Sequence, residues 1–222
     1  MKWGILGGAF DPIHLGHLRS AEEVREMFGL ERILFIPGHI PPHKSSAQIS
    51  PFIHRAQMVR LAVEDNPFFF FSDAEKDPCA VSYSVETLAY LQKQYGNALD
   101  LYFIIGQDAF QSISTWKEWE RVFTMCHFVV MSRPAYETRD LQGILPVSFA
   151  RSFSYRKEEQ AFNGPNNKTV YFRNVSPLDI SSNNIRARIR KGGSIRYLVP
   201  ETVRAYIAAN GLYQNHFLTP EI

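Results

Sequence analysis

The sequence has little of what marks secreted, membrane-spanning or polymer-binding proteins. It contains two cysteines among 222 residues, and Cys79 and Cys126 lack the paired spacing of a metal site or a redox motif. The formal net charge is only +2, so no polybasic surface for nucleic acid is expected. The longest apolar runs, such as 67–71 and 128–131, are far too short to cross a bilayer. We therefore expect a cytoplasmic protein with reduced thiols and with neither a membrane nor a nucleic-acid partner.

What is present is the composition of a globular protein: 45% of the residues are hydrophobic and 21% are charged, which suits one domain over residues 1–222. Short apolar runs alternate with amphipathic stretches, and this predicts a parallel sheet covered by helices. The polar segment 151–168 predicts a long surface loop or insertion. The predicted strands are 3–6, 33–36, 68–71, 101–105, 128–131 and 170–172. The predicted helices are 18–28, about 52–63, 83–95, 183–191 and 200–210.

A glycine-rich turn follows the first predicted strand and leads into a helix. Residues 7–17 are Gly-Gly-Ala-Phe-Asp-Pro-Ile-His-Leu-Gly-His. Glycine lets the backbone approach a ligand closely, and the start of a helix presents free N–H groups to an anion. The order of strand, turn and helix therefore indicates a phosphate site. It is neither the dinucleotide-binding fingerprint nor the P-loop, because it lacks a third spaced glycine and a Gly-Lys-Ser/Thr sequence.

His14 and His17 are the informative pair in this turn. They are three residues apart, so in a first helical turn they share a face and can both point at one phosphate group. Imidazole N–H groups would stabilise the charge that grows on phosphate oxygens during phosphoryl transfer, and no covalent residue is needed. The alternatives are a helix cap or a zinc pair, although no cysteine or nearby carboxylate completes a ligand set. The spacing alone does not decide among them.

Two further segments have features of a nucleotide site. Ser181 and Ser182 precede a helix that contains Arg186 one turn later, an arrangement that suits the β- and γ-phosphates of a triphosphate. The alternative is simple capping with a solvated Arg186. Gly106 and Asp108 follow a buried strand, at the edge where open parallel sheets bind ligands, so they are candidates for the adenosine half. The alternative for Asp108 is the N-cap of the next helix.

These segments together resemble a known family. The first motif is similar to that of the nucleotidyltransferases with a His-x-Gly-His signature, and the resemblance within them is to the bacterial nicotinate mononucleotide adenylyltransferases over residues 4–213. The resemblance implies an α/β Rossmann-like, doubly wound parallel sheet with a C-terminal helical part, about 181–213, packed beside it. It also implies adenylyl transfer from ATP to nicotinate mononucleotide, giving deamido-NAD and pyrophosphate in NAD biosynthesis. The further matching blocks are Pro-Pro-His-Lys at 41–44, Ser-Tyr-Ser-Val-Glu-Thr-Leu at 82–88, Ile-Gly-Gln-Asp at 105–108, Ser-Arg-Pro at 132–134 and Ile-Ser-Ser-Asn-Asn-Ile-Arg at 180–186.

The resemblance also implies roles for individual residues. Trp116 would cover the nicotinate ring, with packing in the core as the alternative, and Mg²⁺ would arrive with ATP without a dedicated protein site. Helical spacing, independently of the resemblance, predicts that Trp119 is the core residue of the two. The sequence departs from the family at Asn183, where Ser or Thr is usual, and at Ser84, where Thr is frequent. The implied catalytic residues are His14 and His17. The implied ATP-binding residues are Gly8, Ala9, Phe10, Gly106, Asp108, Ser181, Ser182 and Arg186. The implied mononucleotide-binding residues are His43, Lys44, Ser84, Val85, Trp116 and Arg133.

Other functions share part of this pattern. A pantetheine-phosphate adenylyltransferase or a cytidylyltransferase has the first motif, but Trp116 and the block 82–88 argue against both. A class I tRNA synthetase is disfavoured by the chain length and the low net charge. A catalytically silent nucleotide sensor would not need His14 and His17. The sequence does not decide between a monomer and a homo-oligomer.

Overall fold

A mostly parallel sheet of eight strands runs through the computed structural model, which describes residues 1–38, 49–76, 83–96, 98–132 and 141–214. Its spatial order is β3-β2-β1-β4-β5-β8-β7-β6. The six strands from β3 to β8 pair in parallel, whereas β7 and β6 add antiparallel strands at one edge. The strands are β1 Lys2–Gly8, β2 Arg32–Pro37, β3 Phe69–Phe71, β4 Asp100–Gly106, β5 His127–Ser132, β6 Ser154–Arg156, β7 Ala161–Asn163 and β8 Thr169–Asn174.

Helices cover both faces of the sheet, as a doubly wound fold requires. Side chains alternate along β2: Ile33 and Phe35 pack into one core cluster, whereas Leu34 and Ile36 pack into the other. Helices α1, α2, α7 and α8 supply buried residues to the first of these clusters, and α3 to α6 supply the second. The helices are α1 Leu15–Phe28, α2 Phe52–Val63, α3 Ser84–Tyr95, α4 Gln107–Gln111, α5 Trp119–Met125, α6 Val147–Ala150, α7 Ser182–Arg190 and α8 Glu201–Ala209.

The strand order reverses between β1 and β4. From β1 the chain proceeds outward through β2 and β3, and from β4 it proceeds the other way through β5 and β8. The connections that follow β1 and β4 therefore diverge, which opens a crevice at the carboxyl ends of these two strands. The turn with His14 and His17 follows β1, and Gly106 ends β4, so both predicted segments lie at this crevice.

Of the two alternatives predicted for 151–168, a long surface loop or an insertion, the loop is wrong for the middle part of the segment. Residues 154–163 form the hairpin β6–β7, and Ala161 pairs with Tyr171 of β8 so that the hairpin extends the sheet. Phe162 is buried in the core cluster. Each strand has three residues and those of β6 are all exposed, so the sequence shows no alternating pattern long enough to predict a strand.

Two features bear on the expectations drawn from composition. In the part of the chain that the structure describes, no helix is both long enough and apolar enough to span a membrane. Cys126 is a free, buried thiol, and burial raises its pKa, so this cysteine packs in the core as an unreactive neutral group. Cys79 lies outside the described residues.

Candidate active site

A cavity of about 1040 Å³ opens at the crevice between β1 and β4. Its walls come from the β1–α1 turn, the ends of β4 and β5, the segment 175–180 and the start of α7, which are spread widely along the sequence. The structure thus brings six of the predicted site residues to one cavity. They are His14, His17, Gly106, Asp108, Ser181 and Ser182.

The two histidines are stacked at the start of α1. Their ring centroids are 3.6 Å apart and their planes differ by 21°. His14 is the N-cap residue with an extended backbone, and its backbone N–H donates to Nδ1 of His17 over 3.3 Å. A neutral His17 whose Nδ1 accepts this bond carries its proton on Nε2. No described residue forms a hydrogen bond with Nε2 of either ring.

Burial holds both rings in the neutral form. His14 is 6% exposed, and burial lowers its pKa to about 4. Burial, and then the neighbouring His14, lower the pKa of His17 well below its ordinary value. At neutral pH each ring therefore offers one N–H donor without a positive charge. Nδ1 of His14 is buried and has no hydrogen-bond partner in the described structure.

Gly16 lies between the two histidines, where a larger residue would crowd the His14 ring. A Cβ atom at this position would lie 3.0 Å from Nδ1 and 3.1 Å from Cε1 of His14. A methyl group so close would push the imidazole by a few tenths of an ångström. The glycine thus leaves room for the orientation in which His14 stacks on His17.

The start of α7 is tied to the β1–α1 turn. Ser181 is the N-cap, and its hydroxyl accepts a hydrogen bond from the Asn184 backbone N–H over 3.2 Å. The Ser182 hydroxyl donates to the Pro12 carbonyl over 2.8 Å. Capping by Ser181 is therefore real, and it places the free N–H groups of α7 beside the histidines.

Arg186 lies against the same turn, so the alternative of a solvated arginine is wrong. Its Nη1 donates to the Asp11 carbonyl over 2.6 Å and lies 3.7 Å from Oδ2 of the Asp11 carboxylate. Its Nη2 donates to the side-chain oxygen of Asn183. Arg186 does not line the described cavity, and Asn183, which departs from the family, does.

Asp11 is a buried carboxylate at the centre of the turn. It accepts hydrogen bonds from the Tyr213 hydroxyl over 2.7 Å and from the Ser50 backbone N–H over 3.2 Å. Burial, and then the charge of Asp11, raise the pKa of Tyr213, so the hydroxyl stays protonated and remains a donor. The turn is thus fixed by groups from the start of α2, from α7 and from the segment after α8.

Arg55 is a second buried residue that fixes the turn, and sequence reasoning missed it. Its guanidinium is fully buried and donates to the carbonyls of Ala9, Gly38 and Ser50 over 2.8, 2.7 and 2.8 Å. Burial lowers its pKa, but an arginine remains charged at any physiological pH. Its position three residues after Phe52, on the apolar face of α2, is the signal that could have indicated an internal role.

Gly8, Ala9 and Phe10, the other predicted residues of the glycine turn, do not line the described cavity. The Gly8 carbonyl accepts a hydrogen bond from Gly38 N–H over 3.0 Å. Phe10 has a left-handed backbone with φ of +48°, and its side chain is buried among core residues, with its ring 5.1 Å from that of His17. Only main-chain groups of Gly8, Ala9 and Phe10 are therefore candidates to contact a nucleotide.

The end of β4 differs in one detail from the prediction. Gly106 is the N-cap of α4 and Asp108 lies within its first turn, so the alternative that Asp108 is the N-cap is wrong. Asp108 is exposed and lines the cavity. It is the one carboxylate among the cavity-lining residues of the described chain.

Ser84 and Val85 form the first turn of α3, away from the described cavity. Their backbone N–H groups have no partner among the described residues, as at any uncapped helix start. Trp116 is half-buried and meets Phe103 edge-on at 5.8 Å. The next residue, Lys117, forms an ion pair of 2.6 Å with Glu86 of α3, so Trp116 and the start of α3 are held near one another.

The other predicted residues divide between the core and the undescribed parts. Trp119 packs edge-on against Phe149 at 4.8 Å, in the core role expected for it. His43, Lys44 and Arg133 lie outside the described residues. Sequence reasoning gave no role to several cavity-lining residues, of which Gln107, Ser132 and Ile180 stand in the matching blocks and the rest belong to no recognisable motif. They are Leu6, Ser20, Gln107, Gln111, Met131, Ser132, Val175, Ser176, Pro177, Leu178 and Ile180.

Comparison with known proteins shows which family the chain belongs to. Over residues 5–188 the chain matches the cytidylyltransferase-like family. A protein of Geobacter sulfurreducens, named a probable nicotinate-nucleotide adenylyltransferase, is 46% identical over 213 residues, covering 96% of this chain and 98% of the relative. A protein of Geotalea daltonii with the same name is 46% identical over 215 residues, covering 97% and 99%. Among solved structures, the chain is similar to Plasmodium falciparum nicotinic acid mononucleotide adenylyltransferase complexed with NaAD, with a TM-score of 0.71. The match covers 96% of this chain and 97% of that one. At 20% sequence identity, it bears on the fold alone.

Proposed function

We infer the function from the family: the chain belongs to the cytidylyltransferase-like family, and within it to the nicotinate-nucleotide adenylyltransferases. It transfers the adenylyl group of ATP to nicotinate mononucleotide. The products are deamido-NAD and pyrophosphate, a step of NAD biosynthesis. The observation that carries the proposal is the stacked, neutral pair His14 and His17 in one cavity with the N-terminus of α7.

The reaction needs positioning and charge stabilisation from the protein. A phosphate oxygen of the mononucleotide forms a bond with the α-phosphorus of ATP, and the bond from that phosphorus to the oxygen bridging to the β-phosphate breaks. The attacking phosphate is already ionised, so no general base is required. His14 and His17 donate N–H groups to oxygens whose negative charge grows in the transition state. Because the rings are neutral in the free protein, they attract the anionic substrate less strongly than charged rings would. Their hydrogen bonds therefore stabilise the transition state more than the bound substrate.

The ATP half of the site is assigned to the ends of β4 and α7. Ser181 and Ser182 present hydroxyl and N–H groups at a helix start, where the β- and γ-phosphates are favoured. Arg186 holds the turn through Asp11 and adds positive charge to the same region. Gly106 and Asp108 are assigned to the adenosine half, and the main-chain groups of residues 8–10 to the phosphates.

Magnesium fits this site as a companion of ATP. The described residues contain no group of three His, Cys, Asp or Glu side chains that could hold a metal ion, and Asp108 is the one described carboxylate at the cavity. A single carboxylate suits an ion that is held mainly by phosphate oxygens and water. When bound, Mg²⁺ supplies neutralisation of the charge on the leaving pyrophosphate.

The mononucleotide half is assigned to the start of α3 and to Trp116. Two free N–H groups, those of Ser84 and Val85, suit the carboxylate of the nicotinate ring, which accepts both with charge assistance. Nicotinamide offers one acceptor and turns its NH₂ group towards the second donor. Trp116 covers the flat ring. His43, Lys44 and Arg133 are assigned to the mononucleotide phosphate from the resemblance alone.

Preference for the acid tests this assignment. Leaving one buried donor unpaired costs about 1–3 kcal/mol, so two such mismatches give a preference on the order of 100-fold in kcat/KM for nicotinate mononucleotide over the nicotinamide form. Pyrophosphate release from ATP is to be measured with both mononucleotides and with phosphopantetheine. Trp116→Ala should lose most of the preference, whereas Trp119→Ala, the matched control in the core, should keep it. Comparable kcat/KM for the two mononucleotides would contradict acid specificity, and turnover of phosphopantetheine would replace the proposed acceptor.

The cellular setting is proposed on simpler grounds. Cys126 is a free thiol and the ligands are intracellular metabolites, so we place the reaction in the cytoplasm. ATP and the mononucleotide are the partners that the site requires.

A further inference from the structure

The segment 175–180 forms one wall of the cavity without belonging to a helix or strand. It joins β8 to α7, and all of its residues except Asp179 line the cavity. Its internal support is a hydrogen bond from Ile180 N–H to the Leu178 carbonyl over 2.8 Å. A segment of this kind is held in place by contacts from neighbouring elements, because it has no ladder of backbone hydrogen bonds of its own.

Glu23 of α1 supplies such a contact. Its carboxylate oxygen Oε2 accepts the backbone N–H of Ser176 over 2.7 Å, and its Oε1 accepts Nε of Arg19 over 2.7 Å. Glu23 is 8% exposed. Burial acts to raise its pKa, but the hydrogen bonds from Ser176 and Arg19 outweigh that effect and leave the pKa below its ordinary value. The carboxylate is therefore ionised at neutral pH, and its bond to Ser176 is charge-assisted.

We propose that Glu23, which lies in the same helix as His17, is a positioning residue for ATP. Its carboxylate holds segment 175–180 in place, and this segment is the preformed wall against which the adenosine half of ATP binds. The inference rests on the proposed function, because that function places ATP in this cavity. Glu23 does not line the cavity itself, so it acts through Ser176.

The expected consequence is a loss of ATP affinity without a loss of chemistry. Without the carboxylate, the Ser176 N–H bonds to water and the segment samples other conformations, which ATP must then reorder on binding. A hydrogen bond to a charged group contributes roughly 1.5–3 kcal/mol, so the Kd for ATP should rise about tenfold or more. The histidines are untouched, so kcat at saturating ATP should stay within about twofold.

A purely structural role for Glu23 makes a different prediction. Arg19, its ion-pair partner, is half exposed, and pairs open to solvent contribute little to stability. The neighbouring Glu22 is a matched control, because it pairs with Arg25 at 2.6 Å and accepts from Asn66 at 3.0 Å but touches nothing in the cavity. If Glu23 only stabilised α1, Glu22→Ala and Glu23→Ala would have the same effect on ATP binding.

The test uses the full chain and measures Kd for ATP by calorimetry, together with kcat and both KM values. Glu23→Ala should raise Kd and KM for ATP about tenfold and leave the KM for the mononucleotide and kcat nearly unchanged. Glu23→Gln should restore most of the affinity, since its amide oxygen still accepts, and Glu22→Ala should bind ATP like wild type. Ser176→Pro, which removes the same N–H from the other side, should reproduce the loss if Glu23→Ala does not fold.

Two results would overturn the assignment of Glu23. One is ATP binding by Glu23→Ala, or by Ser176→Pro, as tight as that of Glu22→Ala. The other is a rise in the KM of both substrates by the same factor. A wild-type protein that neither binds ATP nor releases pyrophosphate would instead contradict the proposed function, so the two failures are distinguishable.

Discussion

Mild acid is expected to destabilise the fold through His14. Burial lowers the pKa of this imidazole from 6.5 to about 4, so between these values the unfolded chain binds a proton that the folded chain does not. Stability that is fully present above about pH 6.5 is therefore lost as the pH falls towards about 4. The fall in pKa corresponds to a contribution of about 3 kcal/mol to the free energy of unfolding. About 2 kcal/mol of this contribution is lost between about pH 7 and pH 5.

Urea unfolding of the wild type and of His14→Asn, at a series of pH values between about 7 and 5, isolates this contribution. Asparagine suits the N-cap position that His14 occupies and does not titrate, so the ionisable groups that do not contact His14 largely cancel in the comparison. The free energy of unfolding of the wild type should fall more steeply, and the gap should change by about 2 kcal/mol over this range. Parallel curves, or an NMR titration of His14 with a midpoint near its ordinary pKa, would refute the reasoning.

Two further substitutions separate the roles of groups around the histidines. Arg186→Ala should raise the Kd for ATP at least about tenfold more than the Kd for the mononucleotide, because its guanidinium is assigned to the phosphate end of ATP. Equal effects on the two ligands, measured by calorimetry, would place Arg186 elsewhere. Gly16→Ala should lower kcat about tenfold by displacing His14, while the free energy of unfolding stays the same or rises by up to about 1 kcal/mol because alanine favours the helix. Gly143→Ala, where a Cβ meets nothing within 4 Å, is the control, and a Gly16→Ala enzyme as active as this control would show that His14 needs no such room.

The parallel strands and the main motif were predictable because each is a local pattern. The strands β4 and β5 are continuous apolar runs, as buried strands require, and the structure extends each of them by one residue at each end. The placement of His14, His17, Ser181 and Ser182 in one cavity follows from the order of strand, turn and helix, because carboxyl ends of parallel strands share an edge of the sheet.

Buried charges and irregular segments were not predictable in the same way. The position of Arg55 on an apolar helix face indicates burial but not its partners, and Glu23 looks like an ordinary polar residue of an amphipathic helix. The roles of both depend on carbonyl and N–H groups that only the folded chain brings to them. The hairpin β6–β7 owes its existence to the free edge of β8, which a sequence pattern does not reveal. Backbone partners supplied by distant elements are therefore what local reasoning lacks.

The turnover of a folded His17→Ala protein tests the central claim most directly. Removing one donor aimed at developing negative charge should lower kcat roughly 100- to 1000-fold, with circular dichroism and unfolding free energy close to those of wild type. His54→Ala is the matched control, because His54 contacts the Tyr206 hydroxyl and lies outside the cavity, and it should keep nearly full turnover. Pyrophosphate release by folded His17→Ala at a rate near that of wild type would contradict the account.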